Sequence, residues 1–400
     1  SYTYVANASV DAESQDVFTY TMQDADGDPS QATLTITFEG DNNAPTAQDG
    51  AAIQSDADLF SGTQAASTGS LAFDMGADVP GTVSVSYDSG LGAASQASAG
   101  GVTTLTASNW TLTIDESTGV YAFTQTGAYT HDVDADSDSG IVTVTLTDSD
   151  GSEKEVTLTL TIDDMGPTAA ITAAGVTVTH DETTGVDSDA DDVATASATI
   201  TAVYGTTGLI GGASSGTAAV VSSSTGGADG LLSEVITLTN STGGAFTGQD
   251  SGLDVTGGNS IYLYTENGFI VGREASTEGT ADPAGEVAFV VVLESDNSIS
   301  VAQYQAIEHA GITDPDDTAS ITGNLIYATV VATDGDLDTD TATSSAAIAI
   351  SFEDDGPSVS ITYGDQSVVE GSTISNGLWN YTPGADGATV AITVDGVAGT

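Results

Sequence analysis

Carboxylates are the residues of this chain best equipped for chemistry, and their spacing points to hard cations. Three times an alternating, strand-like run ends in a cluster of acids and then a proline: Phe38-Glu-Gly-Asp-Asn-Asn-Ala-Pro45, Ile162-Asp-Asp-Met-Gly-Pro167 and Phe352-Glu-Asp-Asp-Gly-Pro357. Glu39 with Asp41, Asp163 with Asp164, and Glu353 with Asp354 and Asp355 repel one another unless a cation bridges them. Ca²⁺, which takes roughly six to eight oxygen ligands, is the natural partner, and an ion beside a stiffening proline would turn a floppy string of domains into a rod. The plainer reading is a solvated acidic linker.

Further acids stand in turns. Asp24, Asp26 and Asp28, then Asp148 and Asp150, then Asp334 and Asp336 punctuate pairs of strand-like runs. Asp and Gly are also what any tight hairpin uses, so metal binding and ordinary turn chemistry fit equally. None is an EF-hand, because the twelfth position from Asp24 is Thr35 where that loop needs Glu. Asp132, Asp134, Asp136 and Asp138 alternate like ligand positions but lack the loop glycine, which points to a Ca²⁺ loop of another kind ahead of a bare charge run.

Two more acidic stretches lie farther along. Asp187, Asp189, Asp191 and Asp192 follow His180, and Asp314, Asp316 and Asp317 follow Tyr304 and His309. If these loops converge at one end of a sandwich, they make a multi-ligand Ca²⁺ site. That site is then purely structural, or it keeps a coordination position open for a ligand, with Tyr262, Tyr264, Tyr304 and His309 as the neighbours that read the ligand.

Catalytic constellations are poor, and the chain is expected not to be an enzyme. His131, His180 and His309 make chance pairs with many Ser and Asp, but neither Gly-x-Ser-x-Gly nor His-Glu-x-x-His occurs. A glycosidase-like carboxylate pair would also want aromatic platforms, and aromatics are 6% of the chain with two Trp. Trp110, Leu112, Ile114, Tyr121 and Phe123 read as core packing rather than as a sugar platform.

Composition sets the frame for these residues. The 400-residue chain carries 58 Asp plus Glu against two bases, Lys154 and Arg273, for a formal charge of −56. Salt bridges within the chain cannot neutralise that, so the counter-charges come from solution. Nucleic acid and anionic membrane surfaces are excluded as partners, because both are bound through Lys and Arg. With no cysteine there are no disulfides and no thiolate sites. No apolar run is long enough to span a bilayer, and the start at Ser1 shows no basic n-region or cleavage-type pattern. The chain begins and ends in mid-pattern, which predicts an export signal elsewhere in a longer parent.

Yet 39% of the residues are hydrophobic, and they alternate. Ala32, Leu34, Ile36 and Phe38; Val142, Val144 and Leu146; Val156, Leu158, Leu160 and Ile162; and Ala346, Ile348, Ile350 and Phe352 describe half-buried antiparallel strands with Thr between. The single helix-like stretch, Ser300 to Ile312, fits a strand as well. Turn signals at sandwich-like spacing predict an all-β chain of tandem β-sandwiches in an elongated array. The acid-proline repeat divides it into the end of one domain (1–44), a complete domain (45–166), a larger one (167–356) and the start of a fourth (357–400). Within the larger domain, the Gly-, Ser- and Thr-rich stretch from Gly205 to Gly258 reads as an insertion, more than a pure spacer needs.

Several segments carry a family resemblance. "DVFTYTMQDADGDPSQATLTITFEGDNNAPTA" resembles the cadherin-like repeats of giant bacterial surface proteins, and "WTLTIDESTGVYAFTQTGAYTHD" with "VTVTLTDSDGSEKEVTLTLTIDDMGP" is similar to another of their extender units. "VTHDETTGVDSDADD", "IYLYTENGFIVGRE", "VAQYQAIEHAGITDPDD" and "FEDDGP" resemble the repeat domain of type I secretion targets in the repeats-in-toxin adhesin family. The chain departs from that family where "ATDGDLDTDTAT" replaces an uninterrupted Asp-Ala-Asp-Gly-Asp turn.

The resemblance implies type I export, an extracellular place on the bacterial surface, Ca²⁺ as cofactor, and Ca²⁺-dependent rigidity in adhesion and biofilm formation. It also implies that 167–356 is a binding module for a protein or peptide of a host or neighbouring cell, recognised at a C-terminal carboxylate, in a chain that is monomeric and not membrane-inserted. A structural spacer is the runner-up, and a lectin or polysaccharide-active enzyme follows.

Overall fold

Period-2 alternation with Thr on the wet side and Val, Leu or Ile on the dry side builds the long strands Ser137–Thr147 and Glu153–Asp163. The computed structural model describes residues 2–5, 14–38, 44–76, 79–133, 135–183, 190–311, 314–362, 364, 369–372, 377–394 and 397–398. The chain divides into two compact units. The first comprises 1–167 with the short segments 226–232 and 334–338, and the second comprises 168–225, 233–333 and 339–400.

In the first unit, Ser14–Gln23 and Pro29–Phe38 pair as an antiparallel hairpin about the Asp24–Asp28 turn. A two-sheet sandwich follows. One sheet has the order Gly50–Ser55, Glu153–Asp163, Ser137–Thr147, Thr82–Tyr87, and the other Ser67–Ser70, Val120–Gln125, Trp110–Asp115, Val102–Thr106, Ser95–Ala99. Val142, Val144, Leu146, Leu158, Leu160 and Ile162 from the first sheet meet Leu105, Trp110, Leu112, Ile114 and Phe123 from the second in one core. Trp110 is therefore core, with its Nε1–H donating to the Leu91 carbonyl at 2.9 Å. Most pairings are antiparallel, but Gly50–Ser55 runs parallel to Glu153–Asp163, with Ser55 beside Asp163.

In the second unit, a six-stranded antiparallel sheet runs Gly211–Ser214, Ile299–Gln303, Val287–Leu293, Phe269–Glu274, Ser260–Glu266, Thr247–Asp254. Its central strands are buried on both faces, which is why Val-Ala-Phe-Val-Val-Val-Leu is apolar throughout. Val291 faces the main core with Phe289, Ile350 and Phe352, while Val290 and Val292 face a smaller cluster with Ile200, Phe269 and Val271. Ile200 belongs to the short helix Ala198–Tyr204, whose N-cap Ser197 accepts from the backbone N–H groups of Thr199 and Ile200. Thr177–Asp181 runs parallel to Ala349–Glu353, with Asp181 beside Glu353. The same device thus closes both units.

Two sequence expectations change. The helix-like stretch at Ser300 begins as the strand Ile299–Gln303, and the described helices are the short Asp56–Ser61 and Ala198–Tyr204. The supposed insertion Gly205–Gly258 is not one: it supplies the strands Gly211–Ser214, Val220–Ser222, Leu231–Thr239 and Thr247–Asp254, and it buries Ala213, Ala219, Val220, Leu238, Phe246 and Leu253 in the core. Small and hydroxylated residues had masked strands that need only one buried face.

Candidate metal centres

Each parallel strand pair ends by delivering two acids side by side. In the first unit Asp56 follows Ser55 and Asp164 follows Asp163, so the register places both just past the strand ends. Asp56 opens the helix Asp56–Ser61 and is fully buried. Its Oδ1 accepts from Gln125 Nε2 at 2.6 Å and from the Tyr129 N–H at 3.3 Å, while Oδ2 has no hydrogen-bond partner.

Between these acids lies His131, buried to 5% exposure. Its Nε2 is 3.2 Å from the Ile162 carbonyl, and its Nδ1 is 3.2 Å from Asp164 Oδ1 and 3.8 Å from both Asp56 Oδ2 and Asp229 Oδ2. Asp229 arrives on 226–232, and Asp334 and Asp336 on 334–338. Two glycines allow this approach. A Cβ on Gly227, which has φ +59°, would stand 1.7 Å from the Met165 carbonyl oxygen, and one on Gly335 would stand 2.7 Å from that of Asp229.

The result is an electrostatically unfinished centre. Both carboxylate oxygens of Asp164, Asp229 and Asp334, Oδ2 of Asp336 and Nδ1 of His131 are buried without a hydrogen-bond partner. Ligand atoms of Asp56, His131 and Asp164, and again of Asp164, Asp229 and Asp336, lie within 4.8 Å of one another. Burial, with Asp336 and Asp229 adding like charge, pushes the Asp164 carboxyl up to about 6. Burial and then the facing Asp336 carboxyl push Asp334 up to about 7. Neither base answers this charge: Arg273 forks onto both oxygens of Glu266 at 2.6 and 2.8 Å, and Lys154 lies on a strand opposite Leu146. Buried, unpartnered carboxylate oxygens within one ion's reach fit a divalent cation such as Ca²⁺.

The second unit repeats the arrangement. Glu182 follows Asp181 and Asp354 follows Glu353. Glu182 Oε1 accepts from the Ile307 N–H at 2.8 Å and from Gln303 Nε2, while Oε2 is unpartnered. Burial pushes this carboxyl up to about 7. His309 places Nε2 3.2 Å from the Phe352 carbonyl and Nδ1 3.8 Å from Asp354 Oδ1. Asp355 accepts from the Ala385 N–H through both oxygens, and burial raises the carboxyls of Asp354 and Asp355. Beside them opens a cavity of about 470 Å³ lined by His309, Asp314, Asp354, Asp355 and Asp386 among others.

The remaining sequence candidates fall elsewhere. Asp24, Asp26 and Asp28 are exposed on their hairpin with ligand atoms within 4.8 Å of one another, and Asp24 Oδ1 accepts from the N–H groups of Gly27 and Asp28, so metal binding and turn chemistry both fit them. Asp148 and Asp150 both accept from the Ser152 N–H. Asp163 is half-buried at its strand end, and Glu353 contributes its backbone carbonyl to the Glu182 N–H. Asp191 Oδ2 accepts from the Thr179 N–H, Asp192 Oδ1 is 2.8 Å from His180 Nδ1, and Asp317 Oδ2 accepts from the Gly311 N–H. Asp314 Oδ1 accepts from the Asp316 N–H at 3.3 Å. Glu39, Asp41, Asp134, Asp187 and Asp189 lie outside the described residues.

The expected grouping of the tyrosines around those acidic loops gives way to separate packing roles. Tyr262 and Tyr264 cluster with Ala275, and Tyr304 packs on the Ile200 cluster while its hydroxyl donates to the Gly205 carbonyl. Alternate positions of a central strand turn Tyr262 and Tyr264 to one face, where 8% of each remains exposed. Sequence reasoning missed Asp56, Asp229, Glu182 and Asp386 as site residues, and noted His131 only among chance catalytic pairs. The signals it passed over were the glycines around Asp229 and the matching places of His131 and His309 ahead of their acid-proline clusters.

Residues 177–348 match a protein family described as a domain of unknown function (DUF5801). That span holds Glu182, Asp229, His309, Asp334 and Asp336, and leaves Asp56, His131, Asp164 and Asp354 outside it. No curated protein sequence matches the chain. Among solved structures, the chain is similar to Drosophila N-cadherin EC1-4 at 11% identity, covering 86% of this chain and 58% of that one, with a TM-score of 0.24. It is also similar to protocadherin gammaB7 EC3-6 at 12% identity, 86% and 60% coverage and a TM-score of 0.26. Mouse cadherin-23 EC22-24 follows at 12% identity, 85% and 74% coverage and a TM-score of 0.21. The chain spans less than two thirds of the first two. At such scores the β-sandwich architecture rests on the strand registers and shared cores described above.

Proposed function

We propose that this chain is a Ca²⁺-binding segment of a bacterial surface adhesin, in which all-β sandwiches stabilised by bound ions extend and present a binding module. One observation carries the reading: buried carboxylates with unpartnered oxygens converge in both units of a chain whose two bases are both engaged or placed elsewhere. An apolar core can be assembled without ions, but these acids cannot be desolvated together without a counter-charge. Type I export, a place on the cell surface and a part in biofilm formation follow from the repeats-in-toxin resemblance, and the absence of cysteine suits a secreted chain stapled by metal. The binding module acts by holding a ligand, not by turnover.

For the ligand we infer a peptide of a host or neighbouring-cell protein, entering through its C-terminal carboxylate. The cavity beside Glu182, Asp354 and Asp355 supports this, because an ion held by those acids would present positive charge to an incoming oxygen at contact distance. There direct coordination outweighs a field screened beyond about 8 Å at physiological salt. A spacer is the second reading, favoured by the finding that Gly205–Gly258 is built into the sandwich rather than added to it. Calorimetry with free-acid and amidated peptides, in Ca²⁺ and in chelator, separates them: binding that needs both Ca²⁺ and the free acid supports the module. Equal affinity for acid and amide removes direct coordination, and no binding by any peptide leaves the spacer.

A further inference from the structure

His131 brings a nitrogen into a centre otherwise made of oxygen, and the structure fixes which nitrogen. Because a carbonyl only accepts, Nε2–H makes the 3.2 Å contact to Ile162, and Nδ1 is the nitrogen turned toward the carboxylates. Such an outward tie to a backbone carbonyl is how metal-ligating imidazoles are oriented. Nδ1 is fully buried, stands near three carboxylate oxygens and makes a hydrogen bond with none of them.

We propose that His131, Asp56 and Asp164 form a site for a nitrogen-accepting divalent cation of the zinc class, beside an oxygen-only position made by Asp164, Asp229 and Asp336. Spacing supports this. An ion about 2.1 Å from each tetrahedral ligand sets neighbouring ligand atoms about 3.4 Å apart; Nδ1 lies 3.2 Å from Asp164 Oδ1 and 3.8 Å from Asp56 Oδ2, and ligand atoms of the three residues lie within 4.8 Å of one another, with the fourth position left to water. Ca²⁺ draws its ligands from oxygen, whereas imidazole suits zinc and its first-row neighbours. Asp56 is prepared in the same way: Gln125 and the Tyr129 N–H hold Oδ1, leaving Oδ2 for the ion.

The other two histidines provide contrast. His309 shares the ring orientation but has one carboxylate partner, Asp354, at 3.8 Å and an open cavity beside it. His180 is tied through Nδ1 to Asp192 at 2.8 Å. The proposal does not depend on the adhesin reading, since the His131 site would bind its ion whether or not Ca²⁺ stabilises the fold.

The test uses the whole 400-residue chain, stripped with chelator and then kept in millimolar Ca²⁺ so that oxygen-only positions are satisfied. Co²⁺ is added as a spectroscopic probe and Zn²⁺ as competitor. One equivalent of Co²⁺ should give the intense visible bands of a four-coordinate site and yield to Zn²⁺. Histidine-selective ¹⁵N NMR, assigned with His180→Gln and His309→Gln, should show Zn²⁺ shifting His131 Nδ1. His131→Gln should weaken Zn²⁺ binding at least tenfold while melting within a few degrees of wild type in Ca²⁺. If that variant does not fold, the wild-type NMR decides. No cobalt bands with no His131 shift, displacement of Zn²⁺ by millimolar Ca²⁺, or undiminished Zn²⁺ affinity in a folded His131→Gln would each overturn the proposal.

Discussion

His131 Nε2 lies 3.2 Å from the Ile162 carbonyl, and that contact joins core to site. Ile162 is the last fully buried residue of its strand, and two positions on stands Asp164. Core packing therefore sets the height of the imidazole and of the acid it faces at once. In the second unit His309 and Phe352 stand in the same relation, 3.2 Å apart, with Asp354 two positions beyond.

Removing Ca²⁺ should lower the melting temperature. An ion at a hundredfold excess over its Kd stabilises the folded state by about 2.7 kcal/mol per site. For a domain of roughly 150–250 residues each kcal/mol is worth about 2–4 °C. Scanning calorimetry in EGTA should accordingly show a fall of about 5–10 °C for each unit that loses one ion. A fall below about 2 °C would mean that the buried acids are neutralised some other way.

Alkali should attack the first unit through Tyr87. Burial pushes its hydroxyl up to about 12, against a lesser opposing effect from the Leu91 N–H that donates to it. A raised folded pKa means that the stabilisation is whole below the unfolded value near 10 and drains away as pH climbs through the folded value. Urea midpoints of wild type and Tyr87→Phe should therefore keep a constant gap below about pH 10 and shift in favour of the variant above it. A gap that ignores pH would show that Tyr87 ionises freely in the folded protein.

Much of the fold was readable because a half-buried strand writes its burial into alternate letters. Val142, Val144 and Leu146, or Leu158, Leu160 and Ile162, can point inward only as strands. Asp164 and Asp354 were readable because they sit in clusters ahead of a proline. Their partners were not. Asp56 and Glu182 reach the centres through parallel registers more than a hundred residues apart in sequence, which no local pattern encodes. Asp229 gets there on a glycine-flanked turn in a stretch too poor in large apolar residues to look like strands. The tyrosines misled for the opposite reason: Tyr262 and Tyr264 look like ligand contacts in sequence but face a small packed cluster of their own.

Trp110→Ala should be among the costliest changes in the first unit. The indole is fully buried, packs edge-on against Tyr87 and Phe123, and donates to the Leu91 carbonyl, which truncation would strand. A loss of about 3–5 kcal/mol is expected for such a large-to-small change. Denaturant titration should show it, and a cost under about 1 kcal/mol would place the indole outside the core.

The sharpest expectation concerns Asp164→Asn and Glu182→Gln, whose effect should change sign with the medium. In Ca²⁺ each variant gives up a charged ligand, and its unit should melt several degrees below wild type. In chelator the same substitution removes one unneutralised charge from a buried cluster: Asp164 faces Asp229 and Asp336, and Glu182 shares its centre with Asp354 and Asp355. The variant should then be more stable than wild type, on the order of 1–2 kcal/mol. The amide keeps the shape of the carboxylate, so packing contributes little to either measurement. Glu182 also accepts from Ile307 and Gln303 through Oε1, which a glutamine oxygen can still do, so its variant isolates the charge. Melting curves of both variants in both media give four numbers. If either substitution destabilises equally with and without Ca²⁺, that acid serves the fold through hydrogen bonds, and the ion must be sought elsewhere.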